Sequence, residues 1–121
     1  MTIKMLVVSS VELLAKSIVR QLEHLDLEIL TAWHIDDALE MLESQKIDLL
    51  LTDNILRYGS GPELIEKVRK KYPQIKIIIM SSFLGRDEIP SGVGFISKPW
   101  GMNGYNDLVE QVEVIIKGAQ K

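Results

Sequence analysis

Short apolar runs recur along the chain at residues 3–8, 27–31, 47–52, 75–80 and 93–97, and this rhythm constrains the fold more than any other feature. Runs such as "IKMLVV", "IDLLLT" and "IKIIIM" are nearly continuous rather than alternating, and several are rich in β-branched residues. Strands buried on both faces of a parallel sheet have this character. Between the runs the apolar spacing becomes helical. Leu13, Leu14, Ile18 and Leu22 share one stripe, Ala38, Leu39 and Leu42 a second, and Leu64, Ile65 and Val68 a third. Tyr105, Leu108, Val109, Val112 and Ile116 form the last. Strand and helix therefore alternate, which predicts a five-stranded parallel sheet with helices on both faces.

Local signals support the helix starts. Gly61-Pro62 sets proline at a first helical position. Asp36 and Asp37 stand where a helix amino terminus favours negative charge, and Ser9 with Glu12 has the spacing of a capping box. Pro73 ends the third helix. One connection breaks the pattern: "SSFLGRDEIPSG", between Met80 and Val93, has two glycines and Pro90 and leaves room for about one turn of helix. The fourth helix is expected to be short, irregular or missing. With 121 residues and no repeats or linkers, the chain reads as one domain over residues 1–121.

In a sheet of this kind, ligands gather at the carboxyl ends of the strands. The runs end there at Ser9-Ser10, Asp53, Ser81-Ser82 and Lys98-Pro99, so an acid, a base and several hydroxyls share one rim. An aspartate in such a cleft could attack a phosphoryl group and form an acyl phosphate. A lysine would pair with the new charge, and a hydroxyl could bond the added oxygens. Other chemistries fall away. The absence of cysteine excludes disulfides, thiolate metal sites and cysteine nucleophiles. "YGSGPE" at 58–63 follows the third strand and lacks the third glycine of a nucleotide fingerprint. The basic run Lys67, Arg69, Lys70 and Lys71 closes a helix, where cations complement the dipole, and with a net charge of −3 it gives no nucleic-acid partner to this domain alone. His24 and His34 have no partner at metal-ligand spacing and default to the surface. No apolar run reaches the ~18 residues of a membrane span, and no leader precedes the first strand, so a cytoplasmic location is expected.

Taken together, "LLLTD" ending at Asp53, Gly61 with "GPEL", "IIIMSS" and "GFISKPW" resemble the receiver domain of two-component response regulators. The resemblance spans nearly the whole chain and implies a flavodoxin-like, CheY-like (βα)5 three-layer sandwich. It implies Asp53 as phosphoacceptor, Ser81 as the switch hydroxyl, Phe95 as the aromatic switch residue and Lys98 as the invariant lysine. A cis Lys98-Pro99 bond comes with it, as does phosphate received from a sensor histidine kinase.

Three positions depart from the family. Receivers normally end the first strand with two acidic residues that help to bind Mg²⁺, and here these are Ser9 and Ser10. A hard cation leans on carboxylates, so no cofactor is expected, with Mg²⁺ held only weakly if at all. Arg57 replaces the usual proline, and its guanidinium could swing towards the rim as a substitute cation. The shortened segment between Ser81 and Lys98 alters the usual output face. The expectation is a degenerate receiver working by protein–protein interaction, at most turning over its own Asp53 phosphoryl group. A homodimer or partner contact is expected through residues 83–96 and 105–116. The alternative is a working receiver phosphorylated on Asp53.

Overall fold

The computed structural model describes residues 2–81, 89–97 and 102–119. Its elements run β1 (Ile3–Val8), α1 (Glu12–Leu22), β2 (Leu27–Ala32), α2 (Ile35–Ser44), β3 (Leu49–Asp53), β4 (Ile55–Leu56), β5 (Gly59–Ser60), α3 (Gly61–Lys71), β6 (Lys76–Ser81), β7 (Gly94–Ser97) and α4 (Met102–Ala119). Five of the strands form one parallel sheet in the order β2-β1-β3-β6-β7. This is the doubly wound, flavodoxin-like order, with β1 and β3 side by side at the centre.

Alternate residues of each strand feed opposite sides of the sheet. Leu6, Val8, Leu50, Ile77 and Ile79 pack with Ile35, Ala38 and Leu42 of α2 and Leu64, Ile65 and Val68 of α3. Met5, Val7, Leu49, Leu51, Ile78 and Met80 pack with Ile18 and Leu22 of α1 and Leu108, Val112 and Ile116 of α4. Two apolar layers thus cover a sheet that is buried on both faces, as the continuous runs require. The three-layer architecture is the one expected from the sequence.

Local details differ. Leu13 lies outside the apolar stripe and is 80% exposed, whereas Ala15 is buried in its place. At about 100° per residue, position 13 is rotated roughly 140° from Ile18, too far to share its face. The Ser9–Glu12 capping box does not form: α1 begins at Glu12 after Val11, with no side-chain cap. A true cap occurs at α3, where Ser60 Oγ accepts the Glu63 N–H at 3.2 Å. The third run enters the sheet at Leu49, with Ile47 buried just before it. Sequence reasoning also missed the small antiparallel hairpin of β4 and β5, which pairs Ile55 with Ser60 and Leu56 with Gly59. The expectation for the fourth helix rests largely on residues 82–88, and that for the cis bond on Lys98 and Pro99, all outside the described residues. Among the described residues there are four helices, and none is long and apolar enough to cross a membrane.

Candidate functional site

Parallel pairing brings the rim residues together. Val8 lies opposite Thr52, so the next residues, Ser9 and Asp53, emerge side by side at the carboxyl end of the two central strands. Both are buried: Ser9 is 0% exposed and Asp53 4%. Ser9 N–H donates to the Ala32 carbonyl at 3.0 Å, continuing the β1–β2 ladder past the last strand residue. Ser9 Oγ accepts the Val11 N–H at 3.1 Å. Its hydroxyl proton has two distant acceptors, Val11 O at 3.4 Å and Asp53 Oδ2 at 3.5 Å, both long for an O–H donor. The hydroxyl predicted to cap a helix instead turns the chain out of the strand.

Ser10 is half-buried and makes shorter bonds. Its Oγ donates to the Trp33 carbonyl at 2.8 Å and accepts the Arg57 N–H at 2.8 Å. Arg57 meets the site through its main chain. The residue is exposed, and among the described residues its guanidinium forms no ion pair with Asp53.

The loop after Asp53 is shaped by a close approach. Gly61 N–H donates to the Asn54 carbonyl at 2.7 Å, and a Cβ on Gly61 would collide with the Asp53 carbonyl oxygen. Asn54 N–H donates to the Met80 carbonyl at 2.9 Å, and Thr52 Oγ1 to the Asp53 carbonyl at 3.0 Å. The main chain that carries Asp53 is therefore fixed on both sides.

One strand further out, Asp53 pairs with Met80 and Ser81 with Ser97, so the backbone sets Ser81 at the same rim. Lys98 follows Ser97 directly and lies outside the described residues. Phe95, opposite Ile79, is half-buried against the α2–α3 side of the core. Gln111 of α4 donates to the Phe95 carbonyl at 3.0 Å and ties the edge strand to that helix. His34, expected on the surface, is half-buried, and its ring lies 5.4 Å from that of Tyr58. The sequence carried no spacing signal for that contact, because the hairpin that delivers Tyr58 was not foreseen.

The family profile of the response regulator receiver domain matches residues 5–113. The chain belongs to this family. Among curated relatives, the receiver is 28% identical over 92 residues to the hydrogenase transcriptional regulatory protein HoxA of Cupriavidus necator, covering 71% of this chain and 19% of that protein. It is 30% identical over 95 residues to the response regulator protein VraR of Staphylococcus saprophyticus, covering 67% of this chain and 46% of the relative. The chain thus spans less than half the length of either protein. Among solved structures, the signal receiver domain of a putative Luxo repressor protein from Vibrio parahaemolyticus superposes with a TM-score of 0.88 at 21% identity, covering 99% of this chain and 94% of that one. The signal receiver domain of an HD domain-containing protein from Pseudomonas fluorescens gives 0.85 at 22% identity, covering 97% and 88%. These likenesses carry the fold. The chain is the receiver domain of a two-component response regulator.

Proposed function

We propose that this receiver is degenerate and signals by binding other proteins, with weak or no Mg²⁺-dependent phosphorylation of Asp53. The observation that carries the reading is the use already made of the two hydroxyls at the end of β1. A hard divalent cation needs free oxygen donors, preferably charged ones, to replace its water. Ser10 Oγ is engaged in both directions by Trp33 and Arg57, and Ser9 Oγ by the Val11 N–H. Among the described residues no group of three acidic or histidine side chains could hold a metal ion. One buried carboxylate with two neutral hydroxyls already hydrogen-bonded to the main chain is a poor fit for Mg²⁺. The neutral serines also leave Asp53 without two acidic neighbours that a cation would have to neutralise.

An interaction role gains support from the same rim. Val11, Leu13, Trp33, Ile55 and Tyr58 are large apolar or aromatic side chains exposed on the loops and helix start around the site. Such groupings mark binding surfaces more often than scattered single residues do. The partner proposed is a sensor histidine kinase or another signalling protein. A second contact, with another copy or a partner, is proposed through residues 83–96 and 105–116, of which 83–88 lie outside the described residues and Val114 is exposed on α4.

The second reading is a working phospho-receiver. It is favoured by the burial of Asp53 at the end of a central strand, with Ser81 and the residue preceding Lys98 paired on the neighbouring strands. Asp53 would then be the nucleophile, with Ser81 and Lys98 contacting the phosphoryl group. Thermal unfolding in millimolar Mg²⁺ separates the two. A degenerate receiver melts at the same temperature with and without the metal, and a rise of several degrees would support the working receiver instead.

A further inference from the structure

We infer that Ser10 is a latch: its single hydroxyl holds three loops of the carboxyl rim in register, and a carboxylate cannot replace it. The two bonds lie in opposite senses. Ser10 Oγ, on the β1–α1 loop, donates to the carbonyl of Trp33 on the β2–α2 loop. It also accepts the N–H of Arg57, which lies 47 positions further along the chain in the turn of the β4–β5 hairpin. Both distances are 2.8 Å, among the shortest side-chain bonds at the site. Only a group that donates and accepts through one atom can make this pair. An ionised carboxylate only accepts, so aspartate could keep the Arg57 N–H but would turn a negative oxygen towards the Trp33 carbonyl.

The latch has a functional consequence. The loops that it joins carry Trp33, Ile55 and Tyr58, three of the exposed apolar side chains of the rim. Tyr58, one residue beyond Arg57, contacts His34, one residue beyond Trp33. The Ser10 bonds therefore fix the main chain immediately before each partner of an aromatic contact that bridges the same two loops. The rim is held in one arrangement by a neutral side chain, with no need for a cation or a phosphoryl group.

Amide hydrogen exchange by NMR tests this directly, because Arg57 sits in an exposed turn where an unbonded N–H exchanges freely. In the wild type, the Arg57 amide should be protected by about tenfold or more relative to an open turn. Ser10→Ala should abolish that protection and leave the amides of the central strands unchanged. Ser10→Thr should restore it, because the hydroxyl returns. Ser10→Asp should keep the Arg57 amide protected while shifting the Trp33 carbonyl resonance, which separates a two-way latch from generic packing. The inference is overturned if the wild-type Arg57 amide exchanges at the open-turn rate, if Ser10→Ala leaves its protection intact, or if Ser10→Asp leaves the Trp33 carbonyl resonance in its wild-type position. Should Ser10→Ala fail to fold, the wild-type exchange rate together with the Ser10→Asp carbonyl resonance still decides the matter. These outcomes do not depend on whether Asp53 is phosphorylated.

Discussion

Replacing Ser9 with aspartate places a second carboxylate against Asp53 in a buried position. The structure sets the scale: Ser9 Oγ is 3.5 Å from Asp53 Oδ2, and both residues are almost fully buried. Two like charges about 4 Å apart repel by roughly 4 kcal/mol at an effective dielectric near 20. Protonation offers an escape at a similar cost, since neutralising a carboxyl of ordinary pKa near 4 at pH 7 takes about three units, or roughly 4 kcal/mol. Rotation of the new side chain and local relaxation lower both figures. Ser9→Asp should therefore lose about 2–4 kcal/mol at pH 7, a fall of roughly 10 °C in melting temperature for a domain of this size. Adding a proton to the new carboxylate removes the repulsion, so the deficit should shrink as the pH is lowered. Mg²⁺ should also shrink it, because a cation bound only by the folded state stabilises by about 2.7 kcal/mol at a hundredfold excess over its dissociation constant. Thermal unfolding followed by circular dichroism, at two pH values and with and without Mg²⁺, reads all three effects. A variant as stable as the wild type at pH 7 without metal would refute the placement of these two side chains.

Other perturbations probe the frame of the site. Ser60→Ala removes the cap of α3 and should cost about 1 kcal/mol, measured by urea unfolding, with little change in the slope. Gly61→Ala drives a methyl group into the Asp53 carbonyl and should cost about 1–3 kcal/mol by the same assay, with shifted amide resonances at Asp53 and Asn54. The Lys71 ammonium is held above its ordinary pKa, first by its hydrogen bond to Glu43 and then by the charge of that carboxylate. A raised lysine pKa gives stability that is present at neutral pH and lost as the pH rises through the folded-state value. The pair is on the surface, so Glu43→Gln should leave the melting temperature at neutral pH nearly unchanged and lower the alkaline pKa of Lys71 measured by NMR titration.

The sheet and its helices were legible because burial on both faces writes itself as uninterrupted apolar runs. Residues such as Leu49, Leu50 and Leu51 leave little freedom in how the strand can sit. The rim was legible in part, because strand ends in a parallel sheet must converge, and Ser9 and Asp53 do meet there. What Ser10 does was not legible. Its partners are main-chain groups of Trp33 and Arg57, and a main-chain acceptor or donor carries no mark in the sequence. The hairpin that brings Arg57 to it is only two residues per strand, too short to show a period of two. The cap of α3 is written in the sequence as Ser60 followed three positions later by Glu63, beside a proline that marks the same helix start. Ser9 and Glu12 have that same spacing, and the chain there leaves a strand before the helix starts at Glu12, so spacing without the entry geometry misleads.

Phosphorylation itself is the most direct measure. Wild-type protein is incubated with acetyl phosphate and Mg²⁺, and its intact mass is followed over time, with Asp53→Asn as the blank. A degenerate receiver gains no phosphoryl group, or gains it so slowly that only a small fraction is modified after prolonged incubation. Rapid, complete addition of one phosphoryl group that is absent from Asp53→Asn would contradict this, and the domain would be a working phospho-receiver.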